Sequence, residues 1–322
     1  MFVPDSPGGP IVNSIRTIKT VTMCAVLALV LFATEVRAAS GSFERTLTVD
    51  EPIFLDVSTG SGSVKITTGG AGKIEIVGHI RVGRRFFTRS SDDALKIIDR
   101  IESNPPVSLK DGRLEVGHIK HSFFGSNVSI SYEIVVPADT EVKSHTGSGS
   151  QNISDVAGPV EASTGSGKIT LTNIGGSVKA STGSGSIRAN DIAGAFEGHT
   201  GSGSIRLTQV APGDVVVTTG SGSSELHGVV GALSVKAGSG RVVVDGQQKG
   251  IWKFHTGSGS VKITLPDDAA FNLDAESSSG GIDIDHPITV QGKISRKRIR
   301  GEVRGGGDLL KIETGSGGIR IE

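Results

Sequence analysis

The chain of 322 residues carries 33 basic and 33 acidic side chains, so no global field directs it to nucleic acid or an anionic membrane. Its 47 glycines never recur at every third position, which excludes collagen, and the regular apolar alternation between them argues against disorder. The single cysteine, Cys24, rules out a disulfide framework.

The N-terminus reads as an export signal. Arg16 and Lys19 precede an apolar run from Val21 to Ala33, and Val36-Arg37-Ala38 sets small residues before a cut after Ala38. The run is shorter than the roughly 20 residues a membrane span requires, with a retained single anchor as the alternative. Cys24 lies inside the run with no lipobox before it. The expected organisation is a signal peptide over 1–38 and an exported domain over 39–322, in the periplasm, at the cell surface or outside the cell.

From Phe43 to Ile80 apolar residues alternate: Leu47 and Val49, Phe54 and Val57, Val64 and Ile66, Ile74 and Ile76. Period-2 spacing bounded by glycine turns predicts strands. An insertion over about 84–112 changes the period. Ser90 can cap a helix with Asp92 and Asp93 in its first turn, Ala94, Leu95, Ile98 and Ile101 supply its apolar face, and Pro105-Pro106 ends it. Such a helix is expected to cover an open end or flank of the sheet. Strand-like runs follow at Arg113 to Lys120 and Val128 to Val136.

A tetrad then organises the chain. Thr-Gly-Ser-Gly begins at Thr146, Thr164, Thr182, Thr200, Thr219 and Thr256, with a worn copy at Ala237, in steps of 18 or 19 residues; Thr59 and Thr314 are outliers. Aligned on the threonine, the regular copies over about 146–274 expose apolar columns. One holds Ile169, Ile187, Ile205, Val242 and Val261, the next Leu171, Ala189, Leu207, Leu226 and Val244, and a third Val156, Ile174, Ile192, Val210 and Val229. A further pair of columns precedes each threonine, as in Val160 and Ala162 or Trp252 and Phe254.

Each unit therefore carries two short strands and two turns, too little to bury its own apolar face. Stacking like residues on like builds a continuous core. The expected fold is all-β, a single-chain β-solenoid with ~18-residue repeats and one amphipathic helix in an N-terminal insertion. Threonine and serine would form hydroxyl ladders, and glycine would serve corners needing positive φ and close approach. An antiparallel meander of hairpins fits the same alternation. After Ser277-Ser278-Ser279-Gly280-Gly281 the rhythm loosens, and Gly318 to Glu322 reads as half a unit that could leave an open edge.

The order of these parts resembles the bacterial DUF4097 family, whose members are described as candidate adhesins or β-strand-repeat proteins. The resemblance runs from about Phe43 to Glu322. It rests on the Asp92 to Ile101 helix, the run Val128-Ser129-Ile130-Ser131-Tyr132-Glu133-Ile134-Val135-Val136-Pro137 and the repeats after it. It implies an exported β-solenoid-like fold and brings no catalytic, cofactor or binding residue with it.

Candidate chemistry is sparse. His145, His199 and His255 share one phase of the repeat, but coils spaced about 4.8 Å leave them roughly 14 Å apart, too far to share a metal. Asp283 and Asp285 alternate with isoleucines and project together from a strand. The basic stretch from Lys293 to Arg304 fits either an anionic glycan or lipid headgroup, or a strand pair with a charged outer face. No calcium nonapeptide, phosphate loop or nucleophile elbow is present, so neither cofactor nor catalytic residue is expected.

The leading expectation is a non-enzymatic scaffold, adhesion or interaction module in the bacterial envelope, contacting envelope glycans or other envelope proteins. Its contact face would include Lys168, Lys179, Arg188, Arg206, Lys262, Arg296, Lys297 and Arg298, together with serines and threonines. The alternatives are a polysaccharide-active enzyme on a β-helix and a self-assembling fibre component joined through the terminal strand edge.

Overall fold

The computed structural model describes residues 39–50, 52–83, 91–118, 128–290 and 295–322. The expected export segment with Cys24, the Ser90 cap, and Lys293 and Ile294 lie outside these residues.

The N-terminal part contains β1 (Ala39–Thr48), β2 (Phe54–Thr59), β3 (Val64–Thr68), β4 (Lys73–Val82), α1 (Ser91–Ser103), β5 (Val107–Lys110), β6 (Arg113–Val116) and β7 (Val128–Val136). The regular part contains β8 (Glu141–Thr146), β9 (Gln151–Ser154), β10 (Val160–Thr164), β11 (Ile169–Ile174), β12 (Val178–Thr182), β13 (Ile187–Ile192), β14 (Phe196–Thr200), β15 (Ile205–Gln209), β16 (Val215–Thr219), β17 (Ser224–Ala237), β18 (Val242–Thr256) and β19 (Val261–Thr264). The C-terminal part contains β20 (Phe271–Ser277), β21 (Ile282–Ile284), β22 (Ile288–Val290), β23 (Arg298–Val303), β24 (Asp308–Thr314) and β25 (Ile319–Ile321).

Successive coils pair in parallel and in register, so the chain is a β-solenoid and the meander alternative is excluded. β8, β10, β12, β14 and β16 stack as one sheet, the front, in which Val142, Val160, Val178, Phe196 and Val215 occupy one rung position. β9, β11, β13 and β15 stack as the back sheet, with Ile169, Ile187 and Ile205 in line. β17 and β18 are longer and run from the back sheet of one coil to the front sheet of the next. The inward columns are almost wholly buried and form one core.

The two tetrads that seemed out of rhythm are in rhythm in space. β2 stacks on β8, placing Thr59 beside Thr146, and β24 stacks on β18, placing Thr314 beside Thr256. The first coil in sequence (β2, β3) thus sits between β8–β9 and an outer layer built by β6 and β7. The last coil in sequence (β24, β25) is likewise interior, between β18–β19 and β20–β21. The terminal strand is therefore no free edge: Ile319–Ile321 pairs on both sides, and the outermost back strand at this end is β21. Antiparallel segments finish the ends: β1 and β4 beside β7, and β22 and β23 beside β20.

The helix closes the N-terminal end, packing on β1 and β4. Ile98 and Ile101 enter the core, and Ala94 and Ile97 pack against it, while Leu95 is 52% exposed. The expectation for Leu95 fails because the i, i+3, i+4, i+7 set on this helix is Ala94, Ile97, Ile98 and Ile101. Gly41 on β1 lets the helix approach, since a Cβ there would lie 2.3 Å from Ile98 Cγ2.

Two column assignments also change. Val210 is 61% exposed, and Gln209 turns inward in its place beside Ile192, its Nε2 donating to the Gly213 carbonyl at 2.9 Å. Here the repeat takes its extra residue. Ser277, where the rhythm seemed to loosen, occupies the threonine position and pairs with Thr314.

Candidate functional site

The tetrad threonine is inward and buried, so it builds the scaffold and takes no part in a contact face. Thr164 Oγ1 accepts from the Gly167 N–H at 3.0 Å and donates to the Gly149 carbonyl of the preceding coil at 3.1 Å. The same two bonds recur at Thr146, Thr182, Thr200 and Thr219. Each corner is thereby tied to itself and to its neighbour. The second tetrad glycine is required for close approach: a Cβ on Gly167 would lie 1.8 Å from the Gly149 oxygen. Positive φ is not the reason, because among tetrad glycines only Gly240 has it. The left-handed residues sit at the opposite corner, at Asp155, Asn173 and Asp191, residue types that tolerate it.

The outward positions form rows along the stack. On the front sheet Asp56, Lys143, Glu161, Lys179 and Glu197 follow one another in register, alternating in sign. Lys143 meets Glu161 at 3.5 Å and Lys179 meets Glu197 at 3.6 Å. The neighbouring row carries His145, Ser163, Ser181, His199, Thr218, Lys236 and His255. The three histidines thus share a row with other coils between them. His145 bonds Ser163 Oγ at 3.0 Å and His199 bonds Glu197 at 2.7 Å. Among the described residues no three histidine, cysteine or acidic side chains converge as metal ligands.

The eight sequence-predicted contact residues do not share one surface. Lys179 is on the front sheet. Arg188, Arg206 and Lys262 are on the back sheet, where Arg188 and Arg206 are in-register neighbours and Lys262 is paired with Glu322 at 2.9 Å. Lys168 stands at the corner leading into β11. Arg296, Lys297 and Arg298 lie at the turn into β23, Arg298 facing Glu276 at 3.7 Å. Asp283 and Asp285 do project together, and both face Arg320, at 3.4 and 3.5 Å.

Sequence reasoning missed one cluster. Threading β24 between β18 and β20 puts His255, Glu313 and Glu276 on adjacent coils around a recess of about 250 Å³. No signal of spacing could find it, since the order of coils in space differs from the order in sequence. The Glu313 carboxyl is held below the usual range, first by its bond to Lys311 at 2.7 Å. Glu197 is lowered by its bond to His199, and Asp274 by its bonds to Arg300.

The Toastrack DUF4097 family matches residues 52–322. The chain belongs to this family. Comparison of this Toastrack chain with curated proteins returns no match. Among solved structures it is similar to a candidate adhesin of Bacteroides fragilis, at 12% identity and a TM-score of 0.35 over 89% of this chain and 100% of that one. It is similar to a candidate lipid binding protein of Parabacteroides distasonis, at 11% identity and a TM-score of 0.38 over 89% and 99%. A candidate cell adhesion protein of Clostridium sporogenes matches at 15% identity and a TM-score of 0.25 over 87% and 99%.

Proposed function

We propose that this Toastrack chain is exported and acts without catalysis, as a rigid scaffold whose flat sheets serve adhesion or interaction in the bacterial envelope. The observation that carries the reading is the set of outward rows. Their hydroxyl and charged side chains repeat in register at one coil spacing, a geometry suited to many weak contacts with a repetitive partner such as an envelope glycan or protein. Export is supported by the sequence before the expected cut: Arg16 and Lys19, the apolar run from Val21 to Ala33, and Val36-Arg37-Ala38.

The recess with His255, Glu313 and Glu276 is the place where the polysaccharide-active alternative could reside. A general acid for glycosidic cleavage needs a raised carboxyl pKa. Glu313 is shifted the other way, which favours an ion-paired surface over an acid catalyst.

Fractionation of the producing cell with intact-mass analysis tests the reading, combined with incubation on envelope and plant polysaccharides. The expected result is a form starting at Ala39 outside the cytoplasm and no new reducing ends or unsaturated products. A full-length cytosolic form, or released ends, would overturn it.

A further inference from the structure

The back sheet carries an irregularity in its charge pattern. Most outward cations on the back-sheet strands face a carboxylate, as Lys65 faces Glu133 at 3.4 Å. Where two stack in register, as Lys262 and Arg320 do, the carboxylates of Glu322, Asp283 and Asp285 surround them. Arg188 and Arg206 also stack in register. Arg206 reaches Glu225 at 2.6 Å, but no carboxylate answers Arg188 among the described residues. Like charges on facing rungs are destabilising, so this pair costs the fold something.

Arg188 and Arg206 border a recess of about 160 Å³ whose remaining wall is Glu225, Ile187, Ile205 and the hydroxyl-bearing Ser186, Ser204 and Ser223. Lys168, also without a carboxylate partner among the described residues, stands in the serine column one coil away, where Ile169 N–H donates to the Ser186 carbonyl. The site thus presents the fork of Arg188, the Glu225-paired guanidinium of Arg206 on the adjacent coil, hydroxyl donors beside them, and an excess of positive charge. Guanidinium forks match the paired oxygens of carboxylates and of sulfate or phosphate esters.

We infer that the Arg188–Arg206 recess binds the anionic substituents of an acidic polysaccharide. The inference rests on the interaction-surface reading above and assigns that surface a location and a ligand class. A polysaccharide is favoured over a bilayer by the surroundings. The neighbouring outward residues are Asn152, Thr170, Asn190 and Thr208, whose amides and hydroxyls suit sugar hydroxyls and offer a membrane nothing apolar to hold.

The test is titration of the purified chain, by calorimetry, with dextran sulfate, polygalacturonate, neutral dextran and mixed phosphatidylglycerol–phosphatidylcholine vesicles. Wild type, Arg188→Ala, Arg206→Ala and Lys96→Ala, a control on the exposed face of α1, are compared. An anionic polysaccharide is expected to bind with an affinity that falls with salt. Arg188→Ala should weaken it at least tenfold, and Lys96→Ala should leave it unchanged. Arg188→Ala should also melt no lower than wild type without polymer, because it relieves repulsion; this separates lost binding from lost folding. Binding unaltered by Arg188→Ala overturns the site and leaves the interaction surface standing, as does binding of neutral dextran alone. Capture by the vesicles without either acidic polymer overturns the ligand class. Absence of binding to all four probes overturns the site.

Discussion

Thr314 stacks in parallel register on Thr256, although the chain makes a full excursion through β20, β21, β22 and β23 between them. The excursion builds the outermost coil first, and the C-terminus then fills the slot behind it. Trp252, the only tryptophan, is fully buried in the coil that receives the insertion, in register with Leu310.

A chain ending at Gly307 should therefore lose far more than a frayed end. It would remove the buried Leu310, Ile312, Ile319 and Ile321 from the middle of the stack. Each fully buried aliphatic side chain contributes about 1.5–3 kcal/mol, so together they approach the ~5–15 kcal/mol that holds a domain folded. The expected outcome is red-shifted Trp252 emission and loss of a cooperative thermal transition. Native-like emission with a sharp transition would contradict the interior placement of β24 and β25.

The solenoid, its inward columns and the hydroxyl ladder were legible because each depends on neighbours one repeat away. Ile169, Ile187 and Ile205 meet one another where their spacing says they should. The threading was not legible: Thr59 and Thr314 carry the tetrad but nothing local states which coil they join. Gln209 escaped for a related reason. An extra residue in that coil moves Val210 out of phase, and a glutamine that can bond two carbonyls takes the inward place. The Arg188–Arg206 pair could be read from the repeat, whereas the absence of a carboxylate facing Arg188 among the described residues needed the register of every neighbouring row.

The ladder is broken at Ala237, which leaves the Gly222 carbonyl without the threonine hydroxyl that the equivalent glycines receive; at the next coil Thr256 turns to the carbonyl of its own Gly259, at 2.8 Å. Ala237→Thr should restore the missing rung and stabilise the chain by about 1 kcal/mol, the net contribution of one buried hydrogen bond. Thr182→Val, which orphans the Gly167 carbonyl and the Gly185 N–H, should cost about 1–3 kcal/mol. Denaturant unfolding of both variants checks this. Equal destabilisation by the two would mean that Ala237 is preferred for packing.

Tyr132, the single tyrosine, packs edge-on to Phe43 at 6.4 Å, and its buried hydroxyl has no hydrogen-bond partner among the described residues. Burial pushes the phenol well above its ordinary value near 10. The unfolded chain then releases this proton above about pH 10 while the folded chain keeps it. The stability tied to the protonated phenol is complete below that pH and is lost as pH rises past it. Tyr132→Phe removes both the orphan hydroxyl and this alkaline slope. It should leave stability at neutral pH equal or raised by about 1 kcal/mol, and its difference from wild type should widen above about pH 10. Thermal melts across that range, with the tyrosinate absorption band of wild type as a direct readout, decide the matter.

At the C-terminal end Arg300 forks onto Asp274, Nε to Oδ1 at 2.8 Å and Nη2 to Oδ2 at 3.0 Å, joining β23 to β20. The bond to Arg300 is the main cause that lowers the Asp274 carboxyl, against a smaller opposing effect of desolvation. For a lowered carboxyl the stabilisation is fully present above the unfolded value of about 3.9 and disappears as pH falls through the folded value. Arg300→Ala should therefore lower the melting temperature modestly at neutral pH, since the pair is largely solvent-facing and screened. The gap between variant and wild type should close as pH drops below about 4. It should also narrow in high salt at neutral pH. A gap that persists undiminished at low pH would assign the effect to packing of the Arg300 stem on the capping hairpin, with no contribution from the Asp274 charge.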